Sequence, residues 1–180
     1  MTKKAEDMKN APLLREDAVR YHNPTLDTIT SRLDALADEI VGKDILVICS
    51  RPPSKDGKEL SGRYYSSSYA HKPAIVFAPG VCYDLLFFSE DTSVPDRLRL
   101  MKMDTEHTLT TDVTFDLLTV GHEFGHAEGT RNEGQANCRG IGLFAQVASA
   151  LAINTTISDI DLLAYSQSLD QGAEYHSNGC

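Results

Sequence analysis

The sequence predicts an α+β domain in which a small mixed sheet packs against several helices, and three observations carry that expectation. An apolar stripe at helical spacing lies near the start, three short apolar or tyrosine-rich runs have the length of strands, and two longer apolar runs fill the second half. The 180 residues are most naturally one domain spanning 1–180, with 1–20 and 171–180 loosely ordered. A chain of that length buries a core without covalent staples.

In chain order, Asn23-Pro24 reads as an N-cap followed by proline at the first helical position. Leu26, Ile29, Leu33, Leu36, Ala37 and Ile40 then form one stripe that stops at Gly42, while Asp27, Arg32, Asp34, Asp38 and Glu39 read as its solvated face. Asp44 to Ser50 reads as a buried strand, Arg51 to Gly62 as an exposed loop, and Tyr64–Tyr69 and Pro73–Ala78 as further strands. Val81 to Phe88 is apolar without a clear period, so helix and strand both stay open. Ser89 to His107 reads as a loop with one helical turn near Arg97–Leu100, and Ser158 to Leu169 as a last helix.

The chemistry is concentrated in His122-Glu123-Phe124-Gly125-His126, an H-E-x-x-H pentapeptide. Thr110 or Thr111 can cap a helix running into it, and Phe115, Leu118 and His122 share one face. On a helix, side chains at i and i+4 stand one above the other, so both imidazoles can grip one metal ion. Two neutral histidine nitrogens fit neighbouring vertices of a zinc tetrahedron at roughly 2.0–2.1 Å from the ion. A third protein ligand leaves a vertex for water, whose pKa zinc lowers to about 7, and Glu123 is placed to accept its proton as general base.

After the motif, Gly129 can end the helix in a left-handed conformation, letting the chain reverse through Thr130 and Arg131. Glu133 then opens a second apolar run that continues to Ile153 and is rich in small residues, Gly134, Ala136, Gly140 and Gly142. Such a helix can approach the first closely. Glu133 and Asn137 share a face, so Glu133 is the candidate third metal ligand and Asn137 a hydrogen-bond partner of a ligand.

These residues carry a resemblance. A helix-borne H-E-x-x-H followed by a helix beginning E-x-x-A-N resembles the gluzincin group of zinc metallopeptidases, and most of all the ImmA/IrrE-type domain, over His122 to about Phe144. The resemblance implies a zincin-like fold, Zn²⁺ on His122, His126 and Glu133, and Glu123 as the base in peptide-bond hydrolysis. It also implies a specific protein substrate, a regulator in such systems, and an edge strand that binds it in extended form, for which Ala74 to Ala78 is the candidate, although the same run reads equally well as a plain core strand. Gluzincins usually place more than the six residues found here between the second histidine and the glutamate. The metzincin pattern is met at Gly129 but has Asn132 at its third-ligand position, and Glu128 stands where an apolar residue is common. His107 and His176 are the other imidazoles able to replace Glu133. Oxyanion donors could come from Tyr165, Tyr175, His176, Arg131 or the Tyr64-Tyr65 pair. A zinc hydrolase of a non-peptide substrate and a zincin-fold binding module without catalysis remain alternatives at this level.

Composition narrows the setting. A formal net charge of −9 argues against direct nucleic-acid binding, which needs clustered Lys and Arg. No segment has the length of a membrane span, and the N-terminus lacks an apolar secretory core. The four cysteines show no C-x-x-C pair and signal no disulfide framework, so free thiols and a cytoplasmic location are expected.

Overall fold

A computed structural model of the chain describes residues 24–50, 60–69, 72–93, 95–97, 113–155 and 180. A 3-10 turn over Pro24–Leu26 leads into α1 (Asp27–Val41), whose Ile29, Leu33, Leu36 and Ala37 are buried. Gly42, at φ +67°, closes the helix by donating its N–H to Asp38 O at 2.9 Å. Of the helical turn expected near Arg97–Leu100, Arg97 is described and helical together with residues 95 and 96, while 98–100, like the proposed cap Asn23, Thr110, Thr111, the 158–169 helix and the 171–179 tail, lie outside the described residues.

The charged face of α1 is not simply solvated. Asp38 Oδ1 accepts from the Ile45 N–H at 2.8 Å and Asp34 Oδ1 from the Val47 N–H at 2.9 Å. Arg32 donates to Ser89 Oγ and the Leu151 carbonyl and pairs with Asp91. A helical stripe predicts which face is apolar, but not that a strand will run alongside the polar one.

That strand is β1 (Leu46–Cys49), and with β2 (Gly62–Tyr69) and β3 (Lys72–Phe77) it forms a sheet of order β1-β3-β2. β3 is central, parallel to β1 and antiparallel to β2. Of the two readings of Ala74–Ala78 the edge strand is corrected and the core strand holds: Ala74, Ile75, Val76 and Phe77 are fully buried and paired on both sides. A buried apolar strand and an edge strand carry similar short runs, and only the pairing order distinguishes them. Along the strands, Val47, Cys49, Ile75 and Phe77 join the helical core, while Ile48, Tyr65 and Val76 cluster on the opposite face.

The ambiguous run after β3 is a helix, α2 (Pro79–Phe88), started by Pro79 and closed where the Ser89 N–H meets Leu85 O at 3.1 Å. Its Cys82 is disulfide-bonded to Cys49 at the end of β1, across a Cα separation of 6.1 Å, and Cys138 is bonded to Cys180. The free-thiol expectation is thus corrected. The partners are 33 and 42 residues apart in sequence, so their meeting is a product of the fold that no local spacing encodes. No helix among the described residues is long and apolar enough to cross a membrane.

α3 (Val113–Glu128) and α4 (Glu133–Ala150) form the other half of the structure, joined by the short turn Gly129 to Asn132. They pack backbone to backbone. A Cβ on Gly121 would lie 2.8 Å from Gly140 Cα, and one on Gly140 would lie 2.9 Å from Leu118 O and 3.0 Å from the His122 nitrogen. Buried Leu117, Val120 and Phe124 of α3 and Leu143, Phe144 and Val147 of α4 join the core around that contact.

Candidate metal centre

α3 carries the motif on a helix whose Asp116, Leu117, Leu118, Val120, Glu123, Phe124 and Ala127 are buried. With the backbone so immersed, His122 and His126 are fixed one turn apart. Gly129 (φ +116°) ends the helix, and the Thr130 N–H returns to Gly125 O at 3.0 Å. Asn132 then caps α4, its Oδ1 accepting from the Gln135 N–H at 2.9 Å. The residue standing at the metzincin ligand position is thus a helix cap, and Glu133 is the first residue of α4.

The turn and the glycine contact bring three ligand atoms together. His122 Nε2 and His126 Nε2 are 3.0 Å apart, and each lies 3.1 Å from Glu133 Oε2. These three residues form the group among the described residues that could hold a metal ion. The six-residue reach from His126 to Glu133 suffices because the turn reverses the chain at Gly129 and the close glycine packing of α3 on α4 keeps the two helices side by side.

The back of each ring is held. His126 Nδ1 lies 2.8 Å from the Thr130 carbonyl, and His122 Nδ1 2.7 Å from Asn137 Oδ1. A carbonyl only accepts, so Nδ1 is the protonated nitrogen, and a neutral ring then presents a bare lone pair at Nε2. While both rings are neutral, two such lone pairs and a carboxylate oxygen meet at about 3 Å and repel; either a cation between them or a proton on Nε2, then donated to Glu133, relieves this. A tetrahedron with ~2.05 Å bonds has edges of about 3.3 Å, close to this triangle, and two imidazoles with one carboxylate are a donor set that leaves a fourth position open. The residues present fit a divalent ion.

The two carboxylates of the site differ. Hydrogen bonds from His122 and then His126 hold Glu133 well below the usual carboxylate range. Burial pushes Glu123 up, opposed by the two imidazoles and by a hydrogen bond from the backbone of Tyr64. Its Oε2 is buried without a hydrogen-bond partner. Burial lowers His126, but its bonds to Glu133 and the Thr130 carbonyl outweigh this and leave it raised above 6.5.

Other candidates lie elsewhere. Tyr165, Tyr175, His176 and His107 are outside the described residues, and Arg131 is exposed in the turn, not in the ligand triangle. Tyr65 is fully buried on the far face of the sheet, with the Arg63 guanidinium 5.2 Å from its ring centroid. Sequence reading missed the Glu128–Arg139 pair, two 2.6 Å bonds that tie α3 to α4 and explain an acid at position 128. It also missed the Thr130 carbonyl and the contact of β2 with Glu123. A charge of each sign eleven residues apart was visible, but pairing them requires knowing how the helices cross. Comparison with known protein families, curated proteins and solved structures finds no match.

Proposed function

We propose that the chain is a zinc-dependent metallopeptidase that hydrolyses a peptide bond in a specific protein substrate, with Glu123 as general base. The observation that carries this reading is the triangle of His122 Nε2, His126 Nε2 and Glu133 Oε2 beside the buried, unpartnered Oε2 of Glu123. His122, His126 and Glu133 would hold the ion, which supplies when bound a Lewis acid and an acidified water. Asn137 and Thr130 fix the ring orientations that aim both Nε2 lone pairs inward. Glu123 Oε2 takes the proton of the attacking water and returns it to the leaving amine. Burial raises its proton affinity toward that task.

A peptide is favoured over a small substrate by the sheet. On β1 the outward N–H groups flanking its start are taken by Asp34 and Asp38; β2 has no strand neighbour on its outer side among the described residues, and where it runs beside α3 Glu123 takes the Tyr64 N–H, so an added segment would pair with β2 beyond Tyr64. An extended segment added to β2 would lie next to Glu123. The resemblance to ImmA/IrrE-type gluzincins supports the same reading and suggests a regulator as substrate. The paired cysteines favour a working location where thiols are oxidised over the expected cytoplasm.

The test is a peptide library incubated with zinc-loaded protein and read by mass spectrometry for new termini. Wild type is expected to cut; Glu123→Gln is expected to keep its zinc and not cut. Equal cleavage by Glu123→Gln, or none by zinc-loaded wild type, would contradict the reading.

A further inference from the structure

The register of β2 decides which of its backbone groups face outward. The Ala78 N–H donates to Ser61 O at 2.8 Å, and the ladder continues through Arg63↔Val76 and Tyr65↔Ala74. In an antiparallel pair, hydrogen-bonded positions alternate, so Arg63 and Tyr65 bond toward β3 while the N–H and C=O of Gly62 and Tyr64 turn to the outer edge. That edge meets α3. A Cβ on Gly62 would lie 2.9 Å from Glu123 Cγ and 3.1 Å from Thr119 Cγ2 and Phe77 Cδ1, too close for any side chain without displacement. The backbone of Tyr64 is hydrogen-bonded to Glu123, and Glu123 Oε2 is the oxygen left without a partner.

We propose that Gly62 and the Tyr64 N–H are positioning groups for Glu123: the absent side chain at 62 admits the Glu123 chain against the strand, and the N–H holds one carboxylate oxygen so that Oε2 alone is presented to the site. The importance of this seat rests on the reading of Glu123 as the base. At Gly62 and Tyr64 the edge strand thus sets the angle of the carboxylate, and pairing with an extended chain is left to the rest of β2. A helix-borne Glu has several staggered rotamers to choose among. Gly62 and Tyr64 select one.

Amide hydrogen exchange of the full-length protein, resolved by residue, tests the seat without any substrate. An outward-facing edge N–H exchanges fast unless something holds it, so the Tyr64 amide is expected to be protected in wild type and to lose at least about tenfold protection in Glu123→Ala. Arg63 and Tyr65 are expected to keep theirs. Glu123→Gln retains an acceptor oxygen of the same reach and is expected to preserve the Tyr64 protection. Gly62→Ala is expected to lose it with zinc content unchanged, and to lower kcat by about tenfold or more with KM within about twofold. Unchanged Tyr64 exchange in Glu123→Ala, or a loss shared equally by Arg63 and Tyr65, would overturn the proposal. Zinc content and cleavage are read on the same samples, so a failure of the metallopeptidase reading registers there and not in the exchange of Tyr64.

Discussion

The turn around Glu133 and the strand edge around Glu123 place two carboxylates on opposite sides of one site and treat them in opposite ways. Glu133, about a third exposed at the first position of α4, is given two imidazole partners that stabilise its charge. Glu123 is buried against β2, and burial disfavours its charge. An anion that must stay ionised to hold a cation and a base that must take and release a proton need those opposite surroundings. The difference lies in the elements: a tight turn converges side chains, whereas a strand edge offers mostly backbone.

Breaking the turn side is expected to have the largest effect. Glu133→Ala should weaken zinc binding by more than the roughly 10–100-fold that follows loss of a residue merely orienting a ligand, measured by competition with a chromophoric chelator. On the strand side, Glu123→Gln should leave that affinity nearly unchanged and lower kcat by about 10²–10⁴-fold. Asn137→Ala frees the Nδ1 side of His122 and should cost about 10–100-fold in zinc affinity. Gly140→Ala drives a methyl toward Leu118 O and the His122 nitrogen, and should destabilise the protein by about 1–3 kcal/mol in chemical denaturation, weakening zinc binding as the helices part. Smallest of all, Glu128→Gln removes a half-exposed ion pair with Arg139 and should cost no more than about 1 kcal/mol, shrinking at high salt.

The same comparison sets a pH dependence. Protons compete with the metal for the imidazoles, and His126 in the metal-free protein is raised above 6.5 by Glu133 and the Thr130 carbonyl. Zinc affinity should therefore be highest at alkaline pH and start to fall above pH 6.5 as the solution is acidified. Glu133 stays ionised throughout that range and contributes no slope of its own.

Legibility in the sequence follows the same division. The helix-turn-helix unit is local: i and i+4 spacing, a glycine that reverses the chain and an Asn cap bring His122, His126, Glu133 and Asn137 together within a span short enough to read directly. The apolar stripe of α1 and all three strands could be read too, within a few residues at their ends. What could not be read depends on chain segments that meet from afar. Whether β3 is an edge or a core strand stays open in the sequence, because strand order is not written in any one strand. Asp34 and Asp38 looked solvated until β1 was laid beside them. Cys49 and Cys82 gave no sign of pairing, since their contact follows from β1 and α2 leaving the same end of the sheet.

The most direct test of the central claim is metal stoichiometry. Protein purified without chelator and analysed by elemental mass spectrometry should carry about one zinc per chain, and His122→Ala, with the fold retained, should carry essentially none. No bound zinc in the wild type after loading at neutral pH, or an equal amount in His122→Ala, would contradict the account.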